Sequence, residues 1–129
     1  MIEKPYLVKD VMTRNPVTVS PNDSVWDAVV KMDALGVGAL PVVDDNGRVV
    51  GIFTERDLLR RVVAKRLDPK KVLVRDVMTR DPVTVKPTDT VETAKRLMAK
   101  IKARHLPVVD DEGKLVGIVS IKDIEFVEP

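Results

Sequence analysis

The chain has 129 residues, of which 44% are hydrophobic and 33% charged, a composition typical of a globular domain with a buried core. Its 22 basic and 20 acidic residues nearly balance, which gives no electrostatic case for binding nucleic acid. The absence of cysteine excludes disulfides and thiolate chemistry. No apolar run approaches the roughly 18 residues of a membrane span and no apolar leader is recognisable, so we expect a cytoplasmic protein. Glutamine is absent while lysine, arginine and glutamate are plentiful, which favours a thermophilic source.

The first residues of the chain predict a helical turn, a short strand and a longer helix. Residues 7–12 form the turn, which Asn15-Pro16 ends because a residue before proline disfavours the helical conformation. Residues 17–19 predict the strand, and the polar residues 20–23 predict a turn that caps the next helix. Apolar residues at helical spacing predict that this helix reaches about Leu35 and ends at Gly36.

A hairpin and a second helix follow. Residues 39–43 predict a strand, the sequence DDNG at 44–47 a tight turn, and residues 48–53 the returning strand. The second helix is predicted from about residue 54 to residue 66.

The same pattern then recurs with an offset of 66 residues, as between Met12 and Met78. DVMTRNPVTV at 10–19 returns as DVMTRDPVTV at 76–85, and LPVVDD at 40–45 returns at 106–111. We predict two β-α-β-β-α repeats, at residues 1–66 and 67–129, in the α/β (α+β) class. Each repeat should hold a small mixed three-stranded sheet with helices on one side, and a pseudo-twofold axis should relate the two. The last helix of the second repeat should be little more than a turn.

Each repeat places a hydroxyl, a cation and a carboxylate at the start of its last helix. These residues are Thr54, Arg56 and Asp57 in the first repeat, and Ser120, Lys122 and Asp123 in the second. One interpretation is a capping box, which stabilises a helix by about 1 kcal/mol. The other is a nucleotide site, because a helix start and a cation bind phosphate while a carboxylate accepts hydrogen bonds from ribose. In one copy alone the capping box is the stronger interpretation, and the occurrence of the pattern in both repeats strengthens the nucleotide site.

The motif LPVVD, then Gly, VGI, Thr or Ser, two residues and Asp resembles the signature of the cystathionine β-synthase (CBS) domain. It occurs twice, and the order of elements matches over nearly the whole chain. The resemblance implies a tandem CBS pair, or Bateman module, with two clefts that take AMP, ADP, ATP or S-adenosylmethionine. It implies a regulatory, energy-sensing role without catalysis. In such a module Asp57 and Asp123 would hold ribose, and Thr54 and Ser120 would lie beside ribose and phosphate.

The resemblance also implies an adenine slot in each repeat. Its residues would be Pro16, Val17, Val37 and Gly38 in the first repeat, and Pro82, Val83, Ala103 and Arg104 in the second. Because the family mixes its clefts, Asp123 would face Val17 and Gly38, and Asp57 would face Val83 and Arg104. Candidate floor and lining residues are Ile52, Ile118, Met12 and Met78. Plain core packing explains the valines and prolines equally well and is the better interpretation of Ile52 and Ile118, while Met12 and Met78 either line the clefts or only fill gaps.

Arg104 and His105 replace Gly38 and Ala39 of the first repeat. They are either a solvated pair at the rim or an added positive charge in one cleft, which would then bind phosphate more tightly. A lone histidine without further ligands makes no metal site, so no cofactor is expected.

The first long helix carries an apolar face that the second lacks. Trp26, Val29, Val30 and Ala34 correspond to Glu92, Lys95, Arg96 and Lys100. An exposed apolar face usually marks a contact, so we predict a homodimer or a docked partner protein through Trp26. The alternative is that the N-terminal segment covers this face.

The sequence supports four functional hypotheses to different degrees. The leading hypothesis is a sensor of adenine nucleotides, and the alternative is a purely structural dimerisation or interaction module. An enzyme is disfavoured because no P-loop, metal cluster or nucleophile–base set is present, and nucleic-acid binding is disfavoured because stacking aromatics are missing.

Overall fold

The computed structural model describes residues 6–127 and divides them into two compact units. Val17–Pro82 forms one, called here the Asp57 unit. Residues 6–16 and 83–127 form the other, called the Asp123 unit. Each unit therefore combines segments from both sequence repeats, because the start of the chain groups with the second repeat and residues 67–82 group with the first.

The elements repeat along the chain as the sequence predicts. In chain order they are α1 (Val8–Val11), β1 (Thr13–Arg14), α2 (Val25–Leu35), β2 (Ala39–Val43), β3 (Val49–Thr54), α3 (Glu55–Asp57), a π-helical segment (Leu58–Val63), α4 (Val74–Val77), β4 (Thr79–Arg80), α5 (Val91–Ile101), β5 (His105–Val109), β6 (Leu115–Ser120) and α6 (Ile121–Val127). The α+β class and the duplicated architecture are confirmed.

Both sheets are antiparallel and three-stranded. The Asp57 unit has the strand order β2-β3-β4, and the Asp123 unit has the order β1-β6-β5. The predicted mixed sheets are therefore wrong. Each hairpin returns antiparallel, and the short β4 or β1 adds to its free edge in the same sense. Parallel pairing among the described residues is confined to single bridges, Val19 with Val42 and Val85 with Val108.

The strand predicted at residues 17–19 is also wrong. The strand is formed earlier, at Thr13–Arg14, and Asn15 then adopts φ 46°, a left-handed conformation that asparagine tolerates. This turn and the following proline end the pairing with β6. Val19 alone bridges to β2, and Val17 is 43% exposed.

The last helices differ from expectation in both repeats. The predicted helix from residue 54 to 66 begins as α3 but widens into the π-helical segment after Asp57. The predicted short turn at the end of the second repeat is wrong, because α6 extends over seven residues. Burial of Ile124 in the core of the Asp123 unit supplies the reason for the added turn.

Each core packs apolar helix residues against the hairpin. Val25, Ala28 and Met32 of α2 pack with Leu40 and Phe53 in the Asp57 unit. Ala94 and Met98 of α5 pack with Leu106 and Val119 in the Asp123 unit. Since these positions are 66 residues apart, the apolar periodicity shared by the repeats marks the cores.

A methionine lies on a strand glycine in each unit. A Cβ built at Gly51 would stand 2.4 Å from Met78 Sδ and 3.0 Å from the Thr79 carbonyl oxygen. A Cβ at Gly117 would stand 2.7 Å from Met12 Sδ. Glycine is thus required here because β4 and β1 approach the hairpin too closely for a side chain.

We expect Gly51→Ala to lower the free energy of unfolding by about 1–3 kcal/mol, since the new methyl group must displace the buried Met78. Chemical denaturation of the wild type and the variant measures the loss. In a Met78→Ala background the same substitution should cost less. Equal costs in the two backgrounds would show that Met78 is not the obstacle.

Candidate functional site

The first candidate site is built where β3 runs into α3. Thr54 caps the helix, and its hydroxyl accepts a hydrogen bond from Asp57 N at 3.2 Å. Asp57 Oδ2 accepts in return from Thr54 N at 3.0 Å and from the Thr54 hydroxyl at 3.1 Å. The predicted capping box is therefore present, and it fixes the carboxylate at the strand-to-helix junction.

Two further residues hold the Asp57 carboxylate. The Thr79 hydroxyl donates to Oδ1 at 3.1 Å and lies 3.4 Å from Oδ2. Arg61 Nε lies 3.6 Å from Oδ1, and its terminal nitrogen donates to Met78 O at 2.8 Å. Asp57 is only 6% exposed, so four groups neutralise or hydrogen-bond a carboxylate that would otherwise be costly to bury.

The second candidate site repeats the cap without these additions. Asp123 Oδ2 accepts from Ser120 N at 2.8 Å, and Asp123 N donates to the Ser120 hydroxyl at 3.1 Å. These are the only partners that the described part of the chain gives Asp123, which is half-buried. Its Oδ1 accordingly remains available to a ligand.

The residues predicted for the adenine slot lie partly beside these junctions. In the Asp57 unit, Gly38 O accepts from Glu55 N at 3.0 Å, which places Val37 and Gly38 at the start of α3. In the Asp123 unit, Arg104 O accepts from Ile121 N at 2.8 Å, which places Ala103 and Arg104 at the start of α6. Both units thus bring the residues before β2 or β5 next to the capped carboxylate.

The other predicted residues are placed as follows. Arg56 and Lys122 are exposed on their helices, and His105 is half-buried opposite Ser120 in the β5–β6 pairing. Ile52 and Met78 are buried, whereas Ile118 and Met12 are half-buried. The unit boundaries fall between Pro16 and Val17 and between Pro82 and Val83. The pairing of Asp123 with Val17 and Gly38, and of Asp57 with Val83 and Arg104, stays a prediction. Within the units, Gly38 lies at the start of α3 with Asp57, and Arg104 lies at the start of α6 with Asp123.

Sequence reasoning missed Thr79 and Arg61 as partners of Asp57. Thr79 belongs to the repeated VMTR sequence, so its recurrence with Thr13 was a usable signal. Arg61 carries no such signal, because its counterpart in the second repeat is Val127. Only the fold brings it one helical turn after the acid and next to the carbonyl end of α4.

A comparison of the sequence with protein-family models identifies the family of this chain. The model of the CBS domain matches residues 8–64 and again residues 74–126. The chain belongs to the CBS domain family. Its two capped carboxylates lie at equivalent positions of two CBS domains, as the repeated motif predicts.

Two curated proteins are similar to most of this chain. The uncharacterized protein MK0525 of Methanopyrus kandleri is 39% identical over 122 residues, which are 95% of this chain and 62% of that protein. Inosine-5'-monophosphate dehydrogenase of Methanocaldococcus jannaschii is 39% identical over 115 residues, which cover 89% of this chain and 22% of the enzyme. The chain therefore matches less than two thirds of either relative, and the similarity to the dehydrogenase covers a minor part of that enzyme.

Two solved CBS pairs share the fold over nearly their whole length. The CBS domain pair of protein MJ0100, in complex with 5'-methylthioadenosine and S-adenosyl-L-methionine, has a TM-score of 0.88, 31% identity and 96% coverage of both chains. CBSX2 in complex with AMP has a TM-score of 0.80, 37% identity and 94% coverage of both chains. All three of these bound ligands contain adenosine.

The apolar face of α2 lies on the surface of the Asp57 unit. Trp26 is 44% exposed and Val30 48%, while Val29 packs against the core. Lys70 Nζ lies 5.7 Å from the centre of the Trp26 ring, within range of a cation–π contact. Tyr6 and Leu7 pair with residues 90–91 within the Asp123 unit, and the alternative that the N-terminal segment covers this face concerns residues 1–5, which lie outside the described residues.

A further charged pair is formed within the Asp123 unit. Lys86 and Asp111 form an exposed ion pair, which raises the pKa of Lys86 and lowers that of Asp111. Among residues 6–127, no three acids or histidines are gathered as metal ligands would be. In the same residues, none of the helices has the length and apolar character needed to cross a bilayer.

We expect Thr79→Val to lower the free energy of unfolding by about 1–3 kcal/mol, because it removes a hydrogen bond from a buried carboxylate. The matched control is Thr13→Val at the equivalent exposed position, where no such bond to Asp123 is formed in the described chain. Thermal or urea unfolding compares the two. Equal losses would contradict a special role for Thr79.

Proposed function

We propose that this CBS pair is a non-catalytic regulatory module that binds an adenine nucleotide or S-adenosylmethionine. The observation that supports it most is the capped carboxylate at the same strand-to-helix junction of both CBS domains. A carboxylate accepts hydrogen bonds from the two ribose hydroxyls. Ribose and adenine are the parts that AMP, 5'-methylthioadenosine and S-adenosylmethionine share, so one site can serve all three chemical classes.

The residue roles in this proposal follow the junctions. The carboxylate contacts ribose, and Thr54 or Ser120 lies beside it as a second polar group. The backbone before β2 or β5 contacts adenine, since the Gly38 and Arg104 carbonyls are already fixed against the following helix. Arg56 and Lys122 supply charge toward phosphate as an arginine fork and a lysine point charge.

The small part of a known enzyme that this chain resembles supports a regulatory role rather than a catalytic one. The similarity to inosine-5'-monophosphate dehydrogenase involves 22% of that enzyme. The two acids of this chain lie in separate compact units, each already engaged in its own cap. The side chains that hydrogen-bond these acids in the described chain are threonine and serine hydroxyls, with no histidine and no second carboxylate among them, so neither junction resembles a paired acid and base.

A thermal-shift panel of AMP, ADP, ATP and S-adenosylmethionine tests the proposal. A ligand that binds only the folded chain at a hundredfold excess over Kd stabilises it by about 2.7 kcal/mol, which raises Tm by several degrees. CMP and inorganic phosphate are the controls for ribose and charge without adenine. The proposal fails if no adenosine compound raises Tm at millimolar concentration, or if CMP raises it equally.

The exposed face of α2 supports a second candidate function, dimerisation or docking of a partner protein. Trp26 and Val30 are large apolar side chains that remain about half exposed on the chain, as is typical of an interaction surface. The equivalent positions of α5 carry Glu92 and Arg96 and are exposed. We propose a homodimer through the Trp26 face, compatible with ligand binding at the junctions.

Transplanting the α5 residues onto α2 tests the homodimer. The double variant Trp26→Glu, Val30→Arg should shift the chain from dimer to monomer in sedimentation or light scattering, because it introduces charge where the apolar contact is proposed. Glu92→Ala on α5 is the control and should leave the mass unchanged. A wild-type monomer, or a double variant that still dimerises, would exclude this interface.

A further inference from the structure

The two junctions are not equally open, although their sequences are nearly the same. Asp57 is 6% exposed, whereas Asp123 at the equivalent position is half-buried. The neighbouring strand residue differs in the same direction, since Ile52 is buried and Ile118 is half-buried. The methionine on the strand glycine does so as well, with Met78 buried and Met12 half-buried. Three equivalent pairs of residues therefore indicate that the Asp57 junction is the closed one.

The hydrogen bonds explain the difference. Asp57 Oδ1 is held by the Thr79 hydroxyl and by Arg61, and Oδ2 is held by Thr54. At the other junction only Oδ2 of Asp123 is used, by Ser120 N. The counterpart of Arg61 is Val127, which has no charge to offer, and the counterpart of Thr79 is the exposed Thr13.

Arg61 is fixed from two sides. Besides its ion pair with Asp57, it donates to the carbonyl oxygens of Met78 at 2.8 Å and Val77 at 3.4 Å. These carbonyls end α4, where a cation is favourably placed. A ribose that approached Asp57 would have to compete with Thr79 and Arg61 for a carboxylate that is only 6% exposed.

We infer that Arg61 and Thr79 convert Asp57 into a structural carboxylate, so that Asp123 is the single ribose acceptor and each chain binds one adenosine ligand. The inference rests on the proposed function and makes it narrower. It agrees with the place of Arg104, whose carbonyl oxygen accepts from Ile121 N at the start of α6 and which therefore lies in the Asp123 unit.

Titration of the full chain with AMP by calorimetry tests the inference, with S-adenosylmethionine as a second probe. We expect one ligand per chain and a loss of affinity of about tenfold or more in Asp123→Asn, because a charged acceptor is lost. Two ligands per chain, or affinity that Asp123→Asn leaves intact, would overturn the inference while the proposed function stands. An absence of binding by every adenosine compound would instead remove the proposed function, and the inference with it.

Thermal unfolding without ligand tests the structural role inferred for Asp57. Asp57→Asn should lower Tm by more than Asp123→Asn, since it disturbs a buried network of several partners instead of a half-buried cap. In an Arg61→Val background, which installs the residue of the second repeat, Asp57→Asn should cost less. If Asp57→Asn does not fold, Arg61→Val alone should lower Tm while leaving the AMP affinity of the chain unchanged. An Arg61→Val variant that loses about tenfold in affinity would show that Arg61 serves the ligand, and would overturn the inference.

Discussion

The reciprocal hydrogen bonds between a strand-end hydroxyl residue and the acid three positions later fix the geometry of both units. Thr54 with Asp57, and Ser120 with Asp123, join the last strand of each hairpin to the following helix. Because the bonds run in both directions, the backbone can turn from strand to helix without leaving exposed donors. The same bonds place a carboxylate oxygen beside the residues that precede β2 or β5. Fold and candidate site thus depend on one local motif, because the same residues can form a capping box and present a carboxylate to a ligand.

Most of the architecture could be predicted from the sequence because the signals were local and occurred twice. The DDNG turn and the apolar spacing of Val25, Ala28 and Met32 predicted β2 with its observed bounds, the end of α2 at Leu35, and the returning strand to within one residue at each end. The strand at 17–19 was wrongly predicted because the alternation of Val17 and Val19 looks like a strand, whereas the pairing is made by Thr13–Arg14. Nothing in a linear pattern shows that Asn15 turns the chain in between.

The partners of Asp57 were harder to predict for a different reason. Arg61 and Thr79 are brought to the carboxylate by tertiary packing, from one helical turn and from 22 residues along the chain. A repeat comparison finds what two copies share, and here it found the two acids and their caps. The functional difference lies instead in what one copy has alone, the arginine at position 61 where the other has Val127. In a duplicated protein, the residues that both repeats share predict the fold. Residues that differ between the repeats next to a shared motif predict how the two sites differ.

The composition of the compact units has a consequence for how such a protein can arise. A single repeat contains its hairpin and its long helix, but the short edge strand and the methionine that covers the hairpin glycine come from the other repeat. An ancestor with one repeat could complete its sheet only by receiving that segment from a second molecule. Gene duplication would have turned this intermolecular exchange into an intramolecular one, with no dependence on concentration. Once both segments were on one chain, each junction was free to acquire its own substitutions, and an arginine could settle against one acid while the other stayed open.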